Sequence, residues 1–385
     1  MVNLPNAGSM DRADAVVIGA GVMGAAVAFD LASFGVDTLV LESAAGPAAG
    51  ISGANAGILD SCYRTPLEGF ETSMVLAHRE RWPGVFDELK IPHKTCGAVL
   101  IAQDSAQISK LELIEHTALE QGLKAKIYDR GQIRNLEPKA KAVAGLLIPS
   151  VAITDPYEMV SRLLSAGPKL RYGSRVSGVE AASNGALVRC DSGDVEARFV
   201  INCAGLFADD IAGNDSFSLT VERGEFVVFP DEAGMITDHI VCPLPNEQNE
   251  STIIFPTIYG PLCAATTTGE QPDKKDWAAK PEGVRLAQSA AAKLIPKLAD
   301  FTPIDSWVGL SAALNPRGYV AEWSKRVPKM FNLAGFASSG LSASLGLSAY
   351  VLARVRERGL EVKSRSLRPA RVGEPTFPWW QRRKR

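Results

Sequence analysis

The sequence predicts an α/β fold in which a strand–turn–helix–strand unit opens the chain and a further sheet is built later in it. The unit runs without interruption from Asp14 to Glu42. Period-two alternation of apolar residues then marks strands between Leu170 and Gly205, and a second alternating set lies between Glu225 and Leu314. A chain of 385 residues exceeds one ordinary domain, so two interleaved or sequential domains are expected.

Val16, Val17 and Ile18 form a short buried strand, and Gly19, Gly21 and Gly24 spell G-x-G-x-x-G at the turn into a helix. The first glycine allows the tight turn. The second lets the backbone approach a pyrophosphate at the positive helix N-terminus, and the third lets helix pack on strand. Thr38 to Leu41 supply the second strand, and Glu42 ends it near the expected offset of about 20 residues, where a carboxylate accepts hydrogen bonds from a ribose diol. This is a dinucleotide-binding unit; FAD and NAD both satisfy these residues.

The loop SAAGPAAGISGANAGILD follows, too rich in glycine for a helix and too long for a plain connection, and is read as touching a ligand. Helices are expected from Phe70 to Leu89 and from Gln107 to Gln121, with a strand beginning at Gly97 between them. Strands are expected in LRYGSRVSGVEA, ALVRCDSG and EARFVINCAG, with turns at Ser183-Asn184-Gly185 and Ser192-Gly193. Alternation returns in the segments beginning at Glu225, His239, Ser251 and Trp307. From Phe331 the chain reads as strand, glycine-serine turn and helix, with Leu341, Leu345, Leu352 and Val355 on related helix faces. The proline-bearing, basic ending PTFPWWQRRKR reads as a solvated terminus, membrane-surface contact being the lesser reading.

Composition fits a soluble cytoplasmic enzyme. The 41 basic and 43 acidic residues nearly balance, which gives no nucleic-acid surface. No signal peptide or membrane span is expected. Cys62, Cys96, Cys190, Cys203, Cys242 and Cys263 form no C-x-x-C pair, and His78, His93 and His116 have no metal spacing, so no iron–sulfur or zinc site is expected.

Several separated segments together resemble the FAD-dependent oxidoreductases of the D-amino-acid-oxidase superfamily, in particular the branch of L-2-hydroxyglutarate dehydrogenases and anaerobic-type glycerol-3-phosphate dehydrogenases. They are the Gly19 to Gly24 turn with Glu42, SGANAGIL from Ser52, RVSGVE from Arg175, VINCAGLFADDIA from Val200, RGEFVVF from Arg223 and FNLAGFASSGLSAS from Phe331. The resemblance implies a Rossmann-like FAD-binding domain of the GR2/DAO type, with an interleaved α+β substrate domain on a mixed sheet and the isoalloxazine between them. It assigns 12–75, 145–215 and 305–362 to the FAD domain, 76–144 and 216–304 to the substrate domain, and 363–385 to a basic tail.

Carried over by position, the FAD contacts are Gly19, Gly21, Gly24, Glu42 and Ser43, the flavin loop Ser52, Gly53, Ala54 and Asn55, and Val176 at the adenine. Ala204 and Gly205 pass the pyrophosphate, and Gly340, Leu341 and Ser342 open the last helix toward the ring. Catalysis departs from the pattern. The branch resembles N-S-G-[IV]-[IL]-H in the flavin loop, the histidine being the base; here Asn55-Ala56-Gly57-Ile58-Leu59 ends in Asp60. Asp60 is read as a substitute base or as a partner for a cationic amine, the bland alternative being a loop aspartate without a role. Where relatives have G-L-R, with the arginine clamping a substrate anion, this chain has Gly309-Leu310-Ser311. Arg317 and Arg223 are candidates to compensate, and His239 a lesser candidate base.

The expected activity is oxidation of a C–OH bond of a small 2-hydroxyacid or polyol phosphate by hydride transfer to FAD. Amine or amino-acid oxidation is the alternative, and a non-catalytic flavin-binding assembly protein the second alternative. The partners are a small-molecule substrate and an electron acceptor that is a quinone, oxygen or a carrier protein.

Overall fold

The computed structural model describes residues 10–60, 68–213, 217–244, 252–366, 373 and 377–382. Cys62, the Ser251 strand start and parts of the C-terminal ending lie outside them. The alternating apolar segments build two eight-stranded sheets and a small three-stranded one.

The first sheet has the order Val176–Ala182, Gly185–Cys190, Val195–Asn202, Asp11–Ile18, Thr38–Leu41, Lys169–Arg171. Met330–Ala334 adds to it by parallel pairing with the end of Val195–Asn202, and Val320–Trp323 pairs antiparallel with Met330–Ala334. The opening unit is parallel, Ala15 to Ile18 pairing in register with Thr38 to Leu41, as a βαβ connection requires. The helices Val22–Ser33, Phe70–Leu89, Pro156–Leu164 and Gly340–Glu357 contribute to the core on one face of this sheet. Phe70–Leu89 and Gly340–Glu357 pack so closely that a Cβ on Gly346 would stand 2.1 Å from the Met74 carbonyl oxygen.

The second sheet has the order Asp305–Ala313, Thr220–Val228, Leu262–Glu270, Thr252–Pro256, Ile240–Pro243, Ala98–Ala102, Ala144–Ile148, Lys126–Tyr128. Its pairings are antiparallel except that between Ile240–Pro243 and Ala98–Ala102, so the sheet is mixed. The architecture is the mixed α/β one expected from the sequence.

Three boundaries differ from expectation. Asp305–Ala313 pairs along its whole length with Thr220–Val228, so it belongs to the second sheet and not to the nucleotide-binding segment assigned from 305. Ala144–Ile148 pairs with Ala98–Ala102 and likewise belongs there. Conversely, Val75, Val85, Phe86 and Leu89 pack into the first core, which carries that unit past residue 75 to the end of its helix.

The tail also needs correction. Trp379 and Trp380 are 1% and 3% exposed, in a short helix Trp379–Arg382 set against the second sheet. Two indoles carry more apolar area than the neighbouring charges can keep in water, and a complementary aromatic face receives them.

Candidate functional site

A cavity of about 420 Å³ opens where the glycine turn, the 43–55 loop, the second sheet and the last helix converge. Gly19 lies at φ +102°, and Gly24 sits so tightly that a Cβ there would stand 1.9 Å from the Gly19 carbonyl oxygen. Gly21 lines the cavity and caps the helix Val22–Ser33. A Cβ on Gly21 would meet only the Ser52 Oγ, at 3.1 Å, so the bare backbone leaves a cradle there.

Glu42 is fixed at the end of its strand. Its Oε2 accepts from the Ala20 N–H at 2.7 Å, and its Oε1 from the Ala44 N–H at 2.8 Å and the Ser43 hydroxyl at 3.2 Å. The carboxylate therefore ties the glycine turn to the next loop while lining the cavity. Two helix N-termini point into the same space. Val22–Ser33 has no acidic residue in its first turn, and its Val22 N–H donates to Ser52 Oγ at 2.9 Å. Gly340–Glu357 presents Gly340 and Leu341 to the cavity, also with no acid in its first turn. Both ends favour a bound anion or developing negative charge.

Among the sequence candidates, Gly19, Gly21, Glu42, Ser43, Ser52 and Asn55 line the cavity, as do Val176, Ala204, Gly205, Gly340 and Leu341. Gly24, Gly53, Ala54 and Ser342 shape it from behind. A Cβ on Gly53 would stand 2.3 Å from the Ala48 carbonyl oxygen. Ser342 accepts from the Asp60 N–H at 2.8 Å and donates to the Ile58 carbonyl at 3.2 Å, so it anchors the end of the loop.

The basic and aromatic rim was not legible. Arg175, Lys274, Lys275 and Trp277 also line the cavity. Lys274 pairs with Asp209 at 2.7 Å and Asp210 at 3.2 Å. The one signal was the pair of adjacent lysines beside a tryptophan in QPDKKDW, which shows no periodicity.

The five candidates for the base or the clamp are dispersed. Asp60 is half-buried at the end of the loop. Ser311 stands on Asp305–Ala313 directly across from Glu222. Arg317 is turned outward: its side chain is 65% exposed and ion-paired with Glu222. Arg223 is buried and committed to Glu225 at 2.8 Å and Gln271 at 2.7 Å, with Asp276 at 3.4 Å. His239 lies away from the cavity and hydrogen-bonds Glu137 at 2.6 Å. Neither arginine offers a free guanidinium in place of the missing clamp.

Beside the loop the second sheet presents an aromatic face. Trp307 stacks on Phe226 with centroids 4.7 Å apart and on Trp380 at 6.1 Å. Its Nε1–H donates to the Ala54 carbonyl at 3.0 Å. Among the described residues no His, Cys, Asp and Glu cluster suits a metal, and no helix is long and apolar enough to cross a membrane.

A family model described as FAD dependent oxidoreductase matches residues 14–354. The glycerol 3-phosphate dehydrogenase of Caloramator mitchellensis is 21% identical over 375 residues, covering 94% of this chain and 78% of that enzyme. An L-2-hydroxyglutarate dehydrogenase of Escherichia coli is 26% identical over 245 residues, covering 60% of this chain and 58% of that enzyme. The match thus spans little more than half of that relative. Among solved structures, FAD-bound L-alpha-glycerophosphate oxidase from Mycoplasma pneumoniae superposes with a TM-score of 0.85 at 18% identity, covering 92% of this chain and 96% of that one. Glycine oxidase from Geobacillus kaustophilus gives 0.81 at 22% identity, covering 91% and 96%. At these identities the structures establish the shared fold.

Proposed function

The chain belongs to the FAD-dependent oxidoreductases of the DAO family, and on that premise we propose that it oxidises the C–N bond of an amine-bearing substrate rather than the alcohol of a small anion. FAD is its cofactor, and the cavity fits that group. The Gly21 cradle and the two helix N-termini suit the diphosphate and the ring, Glu42 the ribose diol, and Val176 the adenine end. When bound, FAD supplies a two-electron acceptor for a hydride from the substrate carbon. Family membership makes the protein an enzyme, which leaves no place for the non-catalytic assembly reading.

One observation carries the choice of substrate: both arginines that were candidates to replace the clamp are engaged elsewhere, Arg317 at the surface with Glu222 and Arg223 in the core with Glu225. The strand position of the clamp holds Ser311 with Glu222 across from it, and the loop ends in Asp60. Ser311 is neutral and Glu222 is already paired with Arg317, so this position offers no cation to a carboxylate or phosphate, while an acid at Asp60 suits an ammonium better than an anion. Loss of a bidentate guanidinium contact costs on the order of 1.5–3 kcal/mol, roughly ten- to over a hundredfold in transition-state binding. In this reading the Asp60 carboxylate takes the proton that a bound ammonium must lose before hydride leaves its carbon.

The second reading, a 2-hydroxyacid or polyol-phosphate dehydrogenase, is favoured by the relatives named above. Anaerobic titration of the holoenzyme with a panel of amines, amino acids, 2-hydroxyacids and glycerol 3-phosphate separates the two. Loss of the flavin absorbance with amines alone is the expected result; loss with L-2-hydroxyglutarate or glycerol 3-phosphate alone reverses the assignment.

A further inference from the structure

The loop that closes the cofactor cavity is anchored by other elements. The Ala48 N–H donates to the Ala20 carbonyl at 3.0 Å, the Thr154 N–H to the Gly57 carbonyl at 2.8 Å, and the Asp60 N–H to Ser342 at 2.8 Å. Its middle is held differently. The adjacent carbonyls of Ala54 and Asn55 each accept from an indole N–H at 3.0 Å, the first from Trp307 on the second sheet and the second from Trp379 in the C-terminal tail. Asn55 itself lines the cavity.

The tail is in turn secured away from the loop. Arg382 pairs with the buried Glu158 at 2.9 Å, lies 4.4 Å over the Tyr157 ring, and donates to the Phe377 carbonyl at 3.1 Å. Glu158 is also held by Arg162 at 3.0 Å, and Arg162 reaches the Gly373 carbonyl at 3.3 Å. Trp379 and Trp380 fill the space between the loop and Trp307, Phe226 and Tyr259.

We propose that residues 377–382 form a clasp on the cofactor loop, with Trp379 as the positioning residue that fixes the Asn55 carbonyl and thereby the loop wall of the FAD cavity. Trp379 does not line the cavity; it acts through the loop. Breaking its N–H bond leaves a carbonyl unpaired beside the cofactor and lets the loop sample other positions. Arg382 sets the tail in place, so removing it loosens the same loop from a distance.

The proposal rests on FAD lying in the cavity and is independent of which substrate is oxidised. Its test uses Trp379→Phe, which keeps an aromatic ring and deletes the donor, and Arg382→Ala, which leaves the loop untouched. FAD release is followed by recovery of flavin fluorescence, and hydrogen exchange is measured at the Gly57 and Asp60 amides in both apo and holo protein. Trp379→Phe is expected to release FAD roughly five- to tenfold faster and to speed exchange at both amides, with Arg382→Ala shifting both readouts in the same direction. Unchanged release and unchanged loop exchange in Trp379→Phe overturn the clasp, as does a drop in melting temperature shared by apo and holo forms with no change in exchange. Exchange in the apo protein tests the clasp by itself, whereas a wild type that takes up no FAD overturns only the cofactor reading.

Discussion

Replacing Glu42 by Ala removes a carboxylate that accepts two backbone N–H bonds, from Ala20 at 2.7 Å and Ala44 at 2.8 Å, and a third from the Ser43 hydroxyl at 3.2 Å. The first is to the glycine turn and the second to the loop, so the substitution loosens the cradle as well as deleting the ribose acceptor. A hydrogen bond to a charged group contributes about 1.5–3 kcal/mol, and partial exposure of Glu42 places the loss in FAD affinity near 1–3 kcal/mol. That is roughly a 5- to 150-fold rise in Kd. Isothermal titration of the apo protein with FAD reads this directly, with apo melting temperatures taken in parallel to separate the cradle from the fold. Glu42→Gln, which keeps an acceptor oxygen at similar reach, is expected to fall between wild type and Glu42→Ala. Glu42→Ala protein that binds FAD with wild-type Kd refutes the assignment of this carboxylate to the ribose.

Arg223→Ala strands Glu225, 1% exposed, without its guanidinium and is expected to destabilise the protein by about 3–5 kcal/mol in urea unfolding, whereas Arg223→Met combined with Glu225→Leu loses much less; equal losses would argue against a buried pair. His78 is fully buried, accepts from the Leu345 N–H at 3.2 Å, and is pushed down to about 3 by burial and the nearby Arg81. Its folded value lies below the unfolded one near 6.5, so the unfolded chain binds the extra proton between these pH values. The stability linked to His78 is therefore complete above about pH 6.5 and declines as pH falls toward 3. Urea midpoints measured from pH 7 to pH 4 are expected to fall less steeply for His78→Asn, which keeps an acceptor but does not titrate; identical slopes would contradict the role given to His78.

What the sequence disclosed is what is local. The glycine turn, Glu42 and the helices at Phe70–Leu89 and Gly340–Glu357 are written in short-range spacing, and each stands where its pattern places it. What was hidden depends on distant partners. The segment Asp305–Ala313 alternates like any strand, and only its pairing with Thr220–Val228 decides that it joins the second sheet. The tail reads as polar because its charges outnumber its two indoles; its burial follows from an aromatic face assembled from Phe226, Tyr259 and Trp307, which no window of the sequence contains. Arg223 and Arg317 looked equally available as replacement clamps, and only the positions of Glu225 and Glu222 show both to be engaged.

The substrate assignment is tested most directly by comparing kcat/KM of the holoenzyme, with an artificial electron acceptor, for amine substrates and for L-2-hydroxyglutarate and glycerol 3-phosphate, in wild type and Asp60→Asn. The expected result is a preference for the amine of at least tenfold, the lower bound set by one missing bidentate arginine contact of about 1.5 kcal/mol, with Asp60→Asn lowering amine turnover and altering its pH profile. A kcat/KM for either small anion in the ordinary enzymatic range, left intact by Asp60→Asn, would contradict it.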